Sequence, residues 1–183
     1  MMKVKKVLKV KLIVLILVCL TSCLSNMDIL IKEKPRAPID YTEDDVELLA
    51  RTIYGEARDQ GEDGMAAVGN VVINRLNKKS WYGDSVQEII KLPEQFSLFN
   101  GETRPDKYAK DQNYLDTMNA TTDDPYFVQS MEIARGILDG RIKDNTDGAT
   151  HYFNPDKADP VWKDSPKMKS IKKIGNHSFY LEA

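Results

Sequence analysis

An apolar stripe between residues 46 and 57 constrains the fold of this chain more than any other feature. Its members, at spacings of three, one, three, one and three residues, are Val46, Leu49, Ala50, Ile53, Tyr54 and Ala57. This spacing is typical of an amphipathic helix with one buried face. Thr42, with Asp45 three residues later, is typical of the N-terminal cap of such a helix. We therefore predict a helix that begins after Thr42 and packs its stripe against a core.

Apolar residues at helical spacing predict three more helices. They are a helix through Met65, Val68, Val72 and Leu76 that ends near Lys79, a short helix capped by Asp84 or Ser85, and a helix from Pro125 to Gly140. Aromatic residues with partial alternation predict two short strands, at residues 149–154 and 174–181. Residues 95–124 lack periodicity, which predicts a long functional loop with at most one helical turn, or else a disordered surface insertion.

These elements define the predicted fold class. It is α+β, mainly α, and consists of a single domain over residues 41–183 with a small two- or three-stranded antiparallel sheet. A chain of this length is sufficient for one hydrophobic core.

The N-terminal segment predicts export from the cytoplasm. Five lysines precede the apolar run from Leu12 to Leu20, whose nine residues are too few for a bilayer span of about 20 residues but suit a signal peptide. Residues 20–23, Leu-Thr-Ser-Cys, then resemble the lipobox of bacterial lipoproteins, which implies lipidation at Cys23. We expect a signal peptide at residues 1–22 and a lipidated, extended tether at residues 23–40. The alternatives are an ordinary secretory signal and an uncleaved N-terminal anchor, and all three place the domain outside the cytoplasm.

Cysteine content and charge exclude several classes of function. The only cysteines are Cys19 and Cys23, so the domain has no thiol for a disulfide framework, a zinc knuckle or a cysteine nucleophile. The chain has 26 basic and 28 acidic residues, and removal of residues 1–22 takes away five lysines and no acids, which leaves 21 against 28. Because that excess is acidic, a nucleic-acid partner is not expected. We predict no metal and no cofactor.

Glu56 is the candidate catalytic residue. It lies near the end of the first predicted helix, beside Ile53, Tyr54 and Ala57. A carboxyl partly buried among apolar side chains can retain a proton near neutral pH, as an acid catalyst of glycoside cleavage must. Gly55 has no side chain, which would leave room for a substrate. Taken alone, the same pattern fits a solvated glutamate on a helix surface, which is the more common case.

Several short segments resemble the SleB-type cell wall hydrolase family, known from spore cortex-lytic enzymes. They occur in the family's order and include a Tyr-Gly-Glu-Ala-Arg element, a Gln-Phe-Ser element, a Tyr-Phe-Asn-Pro element and a closing Ile-Gly-Asn-His-Ser-Phe element. They lie at residues 49–58, 64–68, 72–75, 94–97, 148–155 and 174–180. Together they extend over nearly the whole predicted domain.

This resemblance implies a lysozyme-like fold and cleavage of peptidoglycan glycan strands next to N-acetylmuramic acid. The glutamate of the Glu-Ala-Arg element is catalytic in the family, which implies that role for Glu56. The implied chemistry is lytic transglycosylation, in which one carboxyl acts first as acid and then as base and leaves a 1,6-anhydro product. The alternatives are an N-acetylmuramoyl-L-alanine amidase and a non-catalytic wall-binding lipoprotein. The expected partners are peptidoglycan and, through the lipid, a membrane, and the expected state is a monomer.

Five further residues are candidates for substrate binding. Gln95, Phe96 and Ser97 form the Gln-Phe-Ser element, and Ser97 offers a hydroxyl to an N-acetyl group or an intermediate. Tyr152 offers a stacking face and Asn154 a two-sided amide for sugar recognition. The structural alternatives are a turn hydroxyl for Ser97, strand packing for Tyr152 and a turn before a proline for Asn154.

Other motif residues are expected to have structural roles. Asn74 and Arg75 are predicted to hold the second helix to its neighbours, and His177 to be a structural hydrogen-bonding residue. The chain also departs from the family, which commonly continues Gly-Glu-Pro after the Glu-Ala-Arg element, whereas Asp59, Gln60 and Gly61 follow here. Gln60 therefore puts in doubt any contribution of a second glutamate to binding or charge.

Overall fold

The computed structural model describes residues 38–183. The predicted signal peptide, Cys23 and almost all of the predicted tether lie outside these residues. The elements in chain order are α1 (Glu43–Ala57), α2 (Gly61–Lys78), α3 (Val86–Lys91), α4 (Asn100–Thr103), α5 (Gln112–Asn119), α6 (Pro125–Leu138), β1 (His151–Phe153), β2 (Met168–Ile174) and β3 (His177–Glu182). Short 3-10 turns occupy Ser97–Phe99 and Val161–Asp164. This mainly helical arrangement with a small sheet confirms the predicted fold class.

Helix α1 forms as its sequence predicts. The amide of Thr42 donates to the Asp45 carboxylate at 2.9 Å, and the amide of Asp45 donates to the Thr42 hydroxyl at 3.3 Å. This reciprocal capping box satisfies two amides that a helix start would otherwise leave unpaired. All six residues of the predicted stripe are buried. The stripe therefore forms the centre of the core.

Helices α1, α2 and α6 pack closely around Gly69. A side chain at this position would place its Cβ 2.6 Å from Cδ1 of Ile137 and 2.9 Å from Cδ1 of Ile53. Both isoleucines are fully buried. A glycine in the middle of α2 lowers helix propensity, but here it permits the three helices to approach one another. No helix among residues 38–183 is both long and apolar enough to cross a bilayer.

The segment predicted as a long loop is more regular than expected. Residues 95–124 contain a 3-10 turn, α4 and the two turns of α5. Asp111 caps α5 by accepting a hydrogen bond from the amide of Tyr114 at 2.8 Å. Tyr114 and Thr117 are the buried residues of α5, and Met118 packs partly buried against the core. With eight residues and few apolar side chains, α5 gives too short a periodic pattern to identify it in the sequence.

The sheet has three antiparallel strands in the order β1-β3-β2. The second predicted strand, at residues 174–181, is wrong at its start because Gly175 and Asn176 form the turn between β2 and β3. Gly175 has a φ of +55°, a left-handed conformation that favours glycine. Strand β2 was not predicted, because its exposed residues do not alternate with buried ones and its pairing is irregular between Ser170 and Lys172.

Asn74 and Arg75 join α2 to the segment that leads into β1, as predicted. The amide nitrogen of Asn74 lies 3.1 Å from Oγ1 of Thr146 and 3.0 Å from the carbonyl oxygen of Ala149. Nε of Arg75 donates to the carbonyl oxygen of Thr150 at 2.7 Å. The helical body and the sheet are therefore connected through these two side chains.

The substitution Asn74→Ala tests this connection. It removes at least two hydrogen bonds to the segment before β1, so we expect the free energy of unfolding to fall by about 1–3 kcal/mol in urea denaturation. Asn77→Ala is the matched control, because Asn77 is exposed on the same helix. We expect the control to change stability by less than about 0.5 kcal/mol. Equal effects of the two substitutions would contradict the structural role of Asn74.

Candidate active site

Glu56 lies in the last turn of α1, and its carboxylate faces a cleft with a volume of about 470 Å³. The cleft is bounded by the end of α1, by residues 94–100 and by β1 with the loop that follows it. Four of the predicted site residues line it together with Glu56, namely Gln95, Ser97, Tyr152 and Asn154. Residues distant in sequence therefore meet around one carboxyl.

Three hydrogen-bond donors contact the Glu56 carboxylate. The Ser97 hydroxyl and the Leu98 amide donate to Oε1, at 3.1 Å and 3.0 Å. The Tyr152 hydroxyl donates to Oε2 at 3.1 Å. The donors come from two different segments and bind both oxygens, so they fix the orientation of the carboxylate and stabilise its negative charge.

Tyr152 is partly buried beside Glu56. Burial raises the pKa of its phenol well above the usual value, and the negative charge of Glu56 raises it further. The phenol consequently keeps its proton and remains a donor to Glu56 throughout the neutral pH range. Its ring also packs against that of His177, with 5.1 Å between the ring centroids.

Gly55 allows the donor segment to approach α1. A Cβ at this position would lie 2.6 Å and 2.7 Å from the two Cδ atoms of Leu98. Gly55 lines the cleft, but the space left by its missing side chain is largely occupied by Leu98 rather than open to a substrate. The absence of a side chain instead lets the Leu98 amide reach Glu56. Asn113 holds the same turn by donating to the Gly55 carbonyl oxygen at 3.0 Å.

Phe96 does not lie in the cleft, contrary to the prediction that it binds substrate. Its side chain is only 2% exposed and belongs to the hydrophobic core. Phe96 has an extended backbone, in which successive side chains point to opposite sides. Gln95 and Ser97 therefore face the cleft, while Phe96 faces inward and packs against the Arg75 guanidinium, 5.1 Å from the ring centroid.

Asn154 lies in the cleft and also holds the turn that was its structural alternative. It lines the cleft, and its side-chain oxygen accepts a hydrogen bond from the amide of Asp156 at 2.9 Å, which stabilises the turn after β1. His177 also lines the cleft and is 7% exposed, but it packs through its ring rather than by the hydrogen bonds predicted for it. Burial lowers the pKa of its imidazole.

Glu94 is the other carboxyl at the cleft. It is 42% exposed, and its carboxylate lies 2.7 Å from Nζ of Lys107 and 3.8 Å from Nη1 of Arg104. The hydrogen bond and the charge of Lys107 lower the pKa of Glu94. Glu94 is thus held as an ionised carboxylate between two cations, a poor state for a proton donor.

Gln60, which lies where the family that this chain resembles commonly has a glutamate, has a structural contact. Its side-chain oxygen accepts a hydrogen bond from the Asn176 amide at 2.8 Å, in the turn between β2 and β3. A neutral amide at this position therefore fixes the sheet to the start of α2. Among residues 38–183, no group of three or more His, Cys, Asp or Glu side chains is placed to hold a metal ion.

Three contributors to the site were not predicted from the sequence. The amide of Leu98 binds Glu56 through its backbone, which no side-chain pattern reveals. Phe153 and Trp162 line the cleft beside Tyr152. Trp162 lies in a loop, where periodicity carries no information about which way a ring faces; the only signal was its aromatic character between two predicted strands.

A family model described as cell wall hydrolase matches residues 59–180. The spore cortex-lytic enzyme of Halalkalibacterium halodurans is 32% identical over 152 residues, which cover 81% of this chain and 38% of that relative. The spore cortex-lytic enzyme of Bacillus subtilis is 31% identical over 144 residues, which cover 78% of this chain and 39% of that relative. The chain therefore spans less than half the length of these relatives.

Solved structures show the same fold. The catalytic domain of the Bacillus cereus SleB protein is 27% identical, with a TM-score of 0.53 over 81% of this chain and 98% of that domain. The catalytic domain of the germination-specific lytic transglycosylase SleB from Bacillus anthracis is 26% identical, also with a TM-score of 0.53, over 78% of this chain and 98% of that domain. With the family model matching most of the domain, the chain belongs to the cell wall hydrolase family.

Proposed function

We propose that this protein cleaves the glycan strands of peptidoglycan next to N-acetylmuramic acid, as a lytic transglycosylase with Glu56 as its single acid and base. The observation that carries the proposal is one carboxylate in a cleft with three donors on its two oxygens. Membership of the family supports a wall substrate. The family match begins at residue 59, so the role of Glu56 rests on its own geometry.

In the first step, protonated Glu56 delivers its proton to the glycosidic oxygen as the bond to C1 of the muramic acid breaks. A negative charge then develops on the glutamate. The hydroxyls of Ser97 and Tyr152 and the Leu98 amide are already in place to stabilise that charge. Donors that need no reorganisation lower the barrier most effectively.

In the second step, the Glu56 carboxylate removes the proton from the C6 hydroxyl of the same muramic acid. The C6 oxygen attacks C1 and forms the 1,6-anhydro ring. Glu56 ends the cycle protonated, as it began, and no water is consumed. One carboxyl therefore suffices for both proton transfers.

Glu94 supports this route over hydrolysis. Most glycoside hydrolases use a second carboxyl as nucleophile or as the base that activates water. Among the residues that line this cleft, the other carboxyl is Glu94, and both Lys107 and Arg104 bind it. Glu94 remains ionised, but the two cations compensate its charge and lower its pKa, which makes it a weak base and a weak nucleophile.

The substitution Glu56→Gln tests the assignment. It keeps the size of the side chain but removes the transferable proton, so we expect the rate of wall lysis to fall by at least about 10²-fold. The melting temperature should change little, because the half-exposed carboxyl contributes little to the core. The rate is measured as loss of turbidity of purified sacculi, and the melt by circular dichroism.

Glu94→Gln is the matched control for this experiment. It makes the same chemical change at the other carboxyl of the cleft, and lysis should continue. The assignment would be contradicted if the Glu56→Gln protein lysed the wall at the unmodified rate. It would also be contradicted if Glu94→Gln abolished lysis while Glu56→Gln did not. Release of free peptide stems would instead support an amidase, and sacculi left intact by the unmodified protein would support a wall-binding role.

We also propose that the chain is exported and anchored to a membrane by lipid on Cys23. The support is the basic and apolar N-terminal segment followed by Leu-Thr-Ser-Cys. Where the host has two membranes, we propose the outer one, since Leu24 rather than an aspartate follows the cysteine.

Detergent partitioning tests the anchor. The full chain expressed in a bacterial host should partition into the detergent phase, and Cys23→Ser should accumulate as an unprocessed precursor or appear in the aqueous phase. Cys19→Ser is the control, because Cys19 lies inside the apolar run and is not acylated in this proposal. Equal behaviour of all three chains would contradict lipidation at Cys23.

A further inference from the structure

One wall of the cleft is not used by the chemistry proposed for Glu56. This wall is formed by Phe153 at the end of β1 and by Pro160 and Trp162 in the loop that follows. Trp162 lies in the 3-10 turn Val161–Asp164, next to Val161, which is 89% exposed. The turn therefore presents one side to solvent, while the indole of Trp162 borders the cleft.

Three neighbouring rings fix the orientation of the Trp162 indole. Its ring centroid lies 5.6 Å from that of Phe153 and 5.5 Å from that of Tyr180, with interplanar angles of 89° and 87°. The ring of His151 lies 5.0 Å away. The contacts with Phe153 and Tyr180 are edge-to-face, which is a favoured geometry of aromatic pairs. A ring already held in this way loses little conformational entropy when a ligand binds.

We propose that Trp162 is a stacking platform for a pyranose ring of the glycan strand. This inference rests on the proposed function, since it takes the ligand to be a saccharide. One face of a pyranose presents C–H groups with slight positive charge, and the face of an indole carries negative potential. Gln95 and Asn154 line the same cleft and supply amides for the sugar's hydroxyl and acetamido groups.

With this platform, one side of the cleft binds the sugar ring and the other, with Glu56, transfers the proton. The aromatic wall binds a sugar ring through its C–H face, which leaves the glycosidic oxygen free to receive a proton from Glu56. Loss of the indole should weaken binding more than it slows the chemical step, because the indole takes no part in the hydrogen bonds to the Glu56 carboxylate. A purely structural role for Trp162, in holding residues 154–167 on the sheet, would affect stability without any direct contact with glycan.

The two tryptophans of the chain make the contact measurable. Trp81 is 55% exposed, packs on Tyr82 and does not line the cleft. The variant Trp81→Phe therefore contains Trp162 as its only indole, and Trp162→Phe contains only Trp81. Both are prepared with Glu56→Gln so that glycan is not consumed, and both are titrated with soluble, uncrosslinked glycan chains from peptidoglycan.

We expect a saturable change in indole emission in the Trp81→Phe protein and none in the Trp162→Phe protein. In sedimentation with insoluble peptidoglycan, Trp162→Ala should bind roughly five- to tenfold more weakly than the parent, while Trp162→Phe should restore most of the affinity. In the catalytically active chain, Trp162→Ala should raise KM more than it lowers kcat. Circular dichroism confirms that each variant is folded.

An unchanged emission from Trp162 at glycan concentrations that saturate binding would overturn the platform, as would unchanged sedimentation of Trp162→Ala. Absence of any glycan binding by the Trp81→Phe protein would overturn it too. The proposed function is contradicted by a different result, namely continued lysis by the Glu56→Gln protein. The binding measurements do not depend on that result. If Trp162→Ala does not fold, the emission of Trp162 in the Trp81→Phe protein still decides the question.

Discussion

The hydrogen bonds to the Glu56 carboxylate depend on a close approach between α1 and the segment after α3. That approach is possible because Gly55 has no side chain, so that Leu98 packs directly against the helix. The Leu98 amide and the Ser97 hydroxyl then reach one carboxylate oxygen, and Tyr152 reaches the other. The geometry of the site therefore follows from two features of the end of α1. Gly55 has no side chain there, and the neighbouring segments donate hydrogen bonds to Glu56.

Arg75 connects the two segments that supply these donors. Its side chain is 3% exposed; it donates to the carbonyl oxygen of Thr150, two residues before Tyr152, and its guanidinium packs on the ring of Phe96, next to Ser97. A buried guanidinium between a strand and a loop is costly to desolvate unless it makes such contacts. The core is thus linked to the segments around the Glu56 carboxyl through α2 as well as through α1.

Much of this arrangement could be predicted from the sequence. The stripe of α1 determines where Glu56 lies, and the family motifs lead to Ser97 and Tyr152. The inward orientation of Phe96 depends on a local extended backbone, and β2 lacks the alternation that identifies a strand. Whether Trp162 lines the cleft depends on long-range packing of rings from different segments, which no local pattern encodes.

In the proposed reaction one carboxyl both gives and takes the proton, so that water does not enter the product. Digestion of purified peptidoglycan in water enriched in heavy oxygen, followed by mass spectrometry of the released muropeptides, distinguishes this reaction from hydrolysis. Transglycosylation by Glu56 predicts 1,6-anhydro-muramic acid ends that carry no heavy oxygen. Reducing muramic acid ends that carry one heavy oxygen atom each would contradict it and would require a second group that activates water.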